Sequence, residues 1–163
     1  MTNKEIIKKL RDNAELAWAS YGYFHYFLEK QNKSYFIVMQ DEQGNEIRDT
    51  DNKLKIQEIY ITDILNAKYK NHRVVELVQL GKEQKEITIG TLDGDFGKEQ
   101  AQRFFFRYEL VHHIPDIASL DTLLAFLTGY SATLFYDTDT QNYIIAFRGT
   151  ENTGDYIADI FLA

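Results

Sequence analysis

Apolar residues open the chain at three- and four-residue spacing: Ile6, Ile7, Leu10, Ala14, Ala17, Trp18 and Tyr21. That spacing predicts a helix with one apolar face. Thr2 followed by Glu5 has the form of a capping box, which places the helix start near residue 3. The pattern turns aromatic at Tyr21, Tyr23, Phe24, Tyr26 and Phe27 and fades over residues 29–33, so the helix is expected to run to about residue 30. Gly22 in its middle costs about 1 kcal/mol relative to alanine and marks either a packing contact or a weak point.

From residue 34 to 92 the periodicity shortens to that of strands with polar connectors. Tyr35–Met39 is one strand, Gln43-Gly44-Asn45 a turn and residues 49–53 a polar loop. Ile56, Ile59 and Ile61 suggest an extended piece before Thr62-Asp63-Ile64-Leu65, which opens a helical turn. Residues 74–80 and 86–89 form a hairpin across Gly81-Lys82-Glu83-Gln84. Asp93-Gly94-Asp95 then caps a helix from Phe96 to Tyr108, and Pro115 closes that region. Leu120, Leu123, Leu124 and Leu127 sit at helical spacing and stop at Thr128-Gly129.

The last third reads as strand, turn, strand, polar corner, helix. Residues 131–136 (SATLFY) and 143–147 (YIIAF) are rich in β-formers, and the wholly polar DTDTQN between them is a hairpin connection. Arg148, Gly149 and Thr150 follow directly; from Asp155 a helical pattern puts Tyr156, Ile157, Ile160 and Phe161 on one face. A strand running into a glycine corner and then a helix is how α/β enzymes aim backbone N–H groups at a developing negative charge. With no repeat, low-complexity tract or linker, residues 1–163 read as a single domain.

Composition narrows the possible functions. The net charge of −7 and a pI near 5.1 disfavour nucleic acid as a partner, which wants a basic stripe. Lys4, Lys8, Lys9 and Arg11 cluster at the start, but Glu5, Asp12 and Glu15 are interleaved, as on a solvated helix face. With no cysteine there is neither disulfide nor thiol nucleophile. No apolar run is long enough to span a membrane and the first residues lack a signal-peptide core, so the expected location is cytoplasmic as synthesised, or export by a signal-independent route.

The histidines do not make a metal set: His112 and His113 would face opposite ways on a strand, and His25 and His72 lie in unrelated segments. Asp93/Asp95 and Asp137/Asp139 sit in turns, where aspartate caps and bonds locally. No metal and no cofactor is expected. Ser131 lies in Gly129-Tyr130-Ser131-Ala132-Thr133, but it opens a strand, whereas the serine of a nucleophile elbow ends one and opens a helix.

The segment YIIAFRGTENTGDYIADIFLA, residues 143–163, resembles class 3 lipases, the fungal-lipase-like branch of the α/β-hydrolases. In that family a strand ends in Arg-Gly-Ser or Arg-Gly-Thr, followed by a short loop and a Trp-x-x-Asp-Leu helix. Residues 129–134 (GYSATL) look like the partner strand, and residues 14–24 (AELAWASYGYF) like the helix before the sheet. The resemblance implies an α/β fold (α+β in isolation): the front of an α/β-hydrolase, with a long N-terminal helix and β-hairpins, cut off before the nucleophile elbow. It assigns the Thr150 backbone N–H, with its hydroxyl, to the oxyanion hole. It gives Asp159 the role of orienting that hydroxyl or tying down Arg148, and leaves Arg148 as structural support. Tyr156 stands where the family has tryptophan. The Gly-x-Ser-x-Gly elbow and the Asp and His that follow it are missing from the sequence, so the chain alone is expected to be inactive.

Two expectations follow. The chain is the N-terminal portion of a lipase or phospholipase whose nucleophile is deleted, encoded downstream or on a second chain, with a lipid or ester substrate only in the complete enzyme. Alternatively it is a catalytically dead relative that binds a full-length lipase or forms a homodimer; a small signal-less relative of bacterial lipases also fits an antibacterial effector.

Overall fold

The computed structural model describes residues 2–28, 33–80, 83–115 and 131–148. The fold is α+β: helices combined with two sheets in which every strand pairing is antiparallel. The described residues group into two compact units, one formed by those within 22–105 and the other by those before and after that stretch.

In the second of these units the N-terminal helix α1 spans Asn3–Ala19. The capping box forms as expected: the Thr2 N–H donates to Glu5 Oε2 at 2.6 Å, and the Glu5 N–H reaches Thr2 Oγ1 at 3.4 Å. The helix ends eleven residues before the expected residue 30. Ser20 caps it, donating its N–H to the Leu16 carbonyl, while its hydroxyl lies 2.6 Å from the Ala17 carbonyl and 3.1 Å from that of Phe147. A hydroxyl that competes for the last carbonyls favours a stop over another turn.

The inward face of α1 differs from the expected one. Asp12, Leu16 and Ala19 are its buried residues, whereas Ile7, Leu10 and Trp18 are exposed. Three strands accompany it in the order β5-β6-β7: β5 (Tyr108–Ile114), β6 (Ala132–Asp137) and β7 (Asn142–Phe147). The β6–β7 hairpin matches the expected strands, in register from Ala132 opposite Phe147 to Asp137 opposite Asn142. Strand β5 was not foreseen. The helix expected up to Tyr108 stops at Arg107, because Tyr108 begins the pairing with Asp137 and its ring is buried beside Phe135. A bulge between Leu110 and His112 shifts the register along β5.

Residues 22–105 build the other unit around a four-stranded sheet ordered β2-β1-β3-β4, with β1 Tyr35–Val38, β2 Ile56–Glu58, β3 Arg73–Leu80 and β4 Glu83–Thr91. Short helices α2 (His25–Leu28) and α3 (Ile61–Leu65) and the longer α4, Lys98–Arg107, complete it, α4 belonging here up to Phe105. The aromatic run after Gly22 packs into this core rather than extending α1: Phe24 and Tyr26 are buried, and Tyr26 meets Tyr35 edge-on at 6.0 Å. A Cβ on Gly22 would sit 2.8 Å from both Leu65 Cδ2 and Phe24 Cζ, so this glycine is a packing contact. Gly94 is held more tightly, since a Cβ there would overlap the Leu65 backbone, where Phe96 N–H donates to the Leu65 carbonyl at 2.7 Å. On one side of the sheet Val38, Leu54 and Val75 form a small core with Phe36 and Ile56.

Candidate functional site

The expected site lies at the end of β7. Thr150 and Asp159 fall outside the described residues, as do Gly149, the leucine stripe 120–127 and the helical pattern from Asp155. Arg148 is half-buried, and its N–H donates to the Ser131 carbonyl at 3.0 Å, one step beyond the Ala132–Phe147 pair of the β6–β7 ladder. Ser131 itself is buried, with its hydroxyl donating to the Ile114 carbonyl at 3.1 Å. It is a strand-start serine occupied in holding β5 to β6, as its sequence context implied, and no histidine is bonded to it. His113 pairs instead with Thr133, Nδ1 to Oγ1 at 2.9 Å, in the buried face of the same sheet. His112 points the other way and is exposed.

The densest polar cluster centres on Arg107, which the sequence reading passed over. Its guanidinium forks onto Asp137, Nε to Oδ1 at 2.9 Å and Nη2 to Oδ2 at 2.8 Å, while Nη1 donates to Asp12 Oδ2 at 2.7 Å. The Arg107 backbone is held too, its carbonyl accepting from the Thr138 N–H and hydroxyl at 3.0 and 2.9 Å. Asp137 also accepts from the Thr140 hydroxyl and the Asp139 N–H, so both carboxylate oxygens are filled. The Arg107 fork and these local bonds hold Asp137 down at about 2, against the opposing effect of burial. At Asp12 burial is the largest influence and pushes upward, but hydrogen bonds from Arg107 and Arg11 outweigh it and leave the carboxyl below its usual range. Arg107 is raised above an already high value, first by Asp137.

Beside the cluster is an open cavity of about 520 Å³, walled by Lys8, Asp12, Leu16, Tyr108, Asn142 and Ile144 among others. Burial pushes the Tyr108 phenol up to about 12, so it stays protonated at neutral pH. The guanidinium carbon stands 4.7 Å over the Tyr108 ring, adding a cation–π contact. Chemically this is a clamp. Its cation is matched by carboxylates, and the cluster has no nucleophile with an adjacent base. Asp12 offered one signal in the sequence: with Leu16 and Ala19 it forms a second stripe at four- and three-residue spacing. Nothing local announces Arg107, whose partners lie 95 and 30 positions away.

Among the described residues no group of three or more His, Asp or Glu side chains is placed to hold a metal ion, and no helix is long and apolar enough to cross a membrane. Comparison with protein-family models, curated proteins and solved structures gives no match.

Proposed function

We propose that this chain carries the oxyanion-loop portion of a class 3 lipase-like serine ester hydrolase, within an α/β-hydrolase type of fold, and does not hydrolyse esters by itself. Thr150 supplies a backbone N–H, with its hydroxyl, to a tetrahedral oxyanion; Asp159 orients that hydroxyl or anchors Arg148, which supports the corner. Such a donor, fixed at a strand end, stabilises the transition state by about 3 kcal/mol. The observation that carries the reading is the Arg-Gly-Thr sequence directly after a paired strand: β7 is in register with β6 up to Phe147, and the Arg148 N–H donates to the Ser131 carbonyl.

Inactivity of the chain alone rests on the sequence, which contains no Gly-x-Ser-x-Gly. The serines at Ser20 and Ser131 are engaged with main-chain carbonyls. A fluorophosphonate probe, with a chromogenic acyl ester as substrate, tests this directly. No labelled serine and no turnover are expected; labelling of any serine overturns the inactive assignment.

A second reading, a catalytically dead lipase-like binding protein, draws on β7. It is the terminal strand of its sheet among the described residues, and Tyr143, Ile145 and Phe147 all project from it exposed. An edge of this kind suits strand addition by a full-length lipase or a second copy. Light scattering distinguishes them: a monomer with no affinity for a complete class 3 lipase removes the binding reading.

A further inference from the structure

The cavity beside the Arg107 clamp carries charges that the clamp does not use. It lies within one compact unit, with α1 on one side and the β6–β7 hairpin on the other. On α1, Lys8, Asp12 and Leu16 follow one another at four-residue spacing, and Lys9 and Asn13 run beside them, so one face of the helix supplies all five. On the hairpin, Asn142 and Ile144 are two residues apart and fall on the same side of β7.

An inventory of charge decides what fits there. Asp12 and Asp137 are both filled by Arg107, and Asp12 takes Arg11 as well. Glu5, also on the wall, accepts from the Thr2 N–H at 2.6 Å. Lys8 and Lys9 line the cavity and form no ion pair among the described residues. A cation would meet two ammonium groups and carboxylates that are already bonded; an anion meets the ammonium groups directly.

The kind of anion follows from the donors. Phosphate and sulfate are held best by an arginine fork, and the Arg107 guanidinium is committed to Asp137 and Asp12. Two lysines are point charges on flexible stems, suited to a single carboxylate. Leu16, Ile144 and the ring of Tyr108 give the same cavity an apolar side. At about 520 Å³ it is within the range that receives a small organic molecule.

From this we infer that the cavity binds a compact organic carboxylate, its apolar body against Leu16 and Ile144 and its carboxylate between Lys8 and Lys9, with the Asn13 amide as a further donor. The inference is independent of the hydrolase reading, since it uses no residue of the β7 corner.

The test is an NMR titration of the isotope-labelled full chain with sodium naphthoate, a bicyclic carboxylate, at constant ionic strength. Neutral naphthalenemethanol and inorganic phosphate are the comparison probes. Naphthoate should move the amide signals of Lys8, Lys9, Asn13, Asn142 and Ile144 together and to saturation. The alcohol keeps the rings without the charge and should bind at least about fivefold more weakly, and phosphate should give no saturable shift. Lys8→Glu combined with Lys9→Glu should weaken naphthoate binding at least about tenfold. Both lysines are exposed, so circular dichroism should show an unchanged fold. Lys53→Glu with Lys85→Glu makes the same change of net charge on exposed lysines of the other unit and should leave the affinity as it is. No saturation by about 10 mM naphthoate overturns the inference, since a weaker contact carries no selectivity. So do shifts centred on other residues, equal binding of the alcohol, phosphate binding at the same affinity, or equal weakening by the remote pair of substitutions.

Discussion

Arg107 and Asp137 meet end-on, two parallel N–H···O bonds of 2.9 and 2.8 Å joining the last residue of α4 to the last residue of β6. Asp137 is 2% exposed and Arg107 19%. The third guanidinium nitrogen takes Asp12 of α1 at 2.7 Å, so one side chain fastens helix, strand and hairpin turn.

Truncating the cation therefore does more than delete a bond. Arg107→Ala strands the Asp137 carboxylate in a buried position and should cost about 3 kcal/mol. Urea unfolding followed by circular dichroism measures it; a loss below about 1 kcal/mol would mean that water replaces the guanidinium easily.

Acid should weaken the same clamp. The folded pKa of Asp137, about 2, lies below its ordinary 3.8, so the unfolded chain takes up the proton more readily. The stabilisation is fully present above about pH 4 and is lost as pH falls toward about 2. It amounts to about 2 kcal/mol. In Asp137→Asn that part of the acid dependence should vanish, giving a flatter stability profile between about pH 5 and about pH 2. An undiminished slope would place the acid sensitivity elsewhere.

The inverted face of α1 separates two leucines six residues apart. Leu16→Ala should destabilise by about 2–3 kcal/mol, since Leu16 is buried, whereas Leu10→Ala should change stability by under about 0.5 kcal/mol. The reverse order in thermal melts would restore the face expected from the spacing.

At Gly94 a methyl group has no room. The atoms it would meet belong to the Leu65–Asn66 backbone, with Asn66 N and Leu65 O both at 2.6 Å, so no side chain can swing aside. Gly94→Ala should cost about 2 kcal/mol or more. At Gly97 nothing lies within 4 Å, and Gly97→Ala is the matched control, expected to be near neutral.

Much of the fold was legible in the sequence because its signals are local. The DTDTQN connection, the alternation of SATLFY and YIIAF, and the turns at residues 43–45 and 49–53 each carry their own chemistry; Asp41 and Asp49 accept loop N–H groups as turn aspartates do. Gly44 and Asn52 take the positive φ those loops need. Strand β5 escaped because Phe104, Phe105 and Phe106 suit helix and strand alike, and the switch at Tyr108 is decided by pairing with β6, some thirty residues on. Periodicity identified an apolar face on α1 but could not say that Asp12, held by Arg107, would be the one turned inward. That pairing is tertiary, and no window of sequence contains it.

The hydrolase reading comes down to one backbone proton. The Arg148 N–H is bonded to Ser131, and bonds alternate along an antiparallel strand, so Thr150 would be the next donor in the ladder if β7 simply continued. An oxyanion donor must instead be held out of the ladder. Amide hydrogen exchange by NMR, read residue by residue, compares the two. The Arg148 amide should be slowed at least about a hundredfold by its bond, with Thr150 exchanging close to the free-chain rate. Protection of Thr150 equal to that of Arg148 would make the corner an ordinary continuation of the sheet and contradict the assignment.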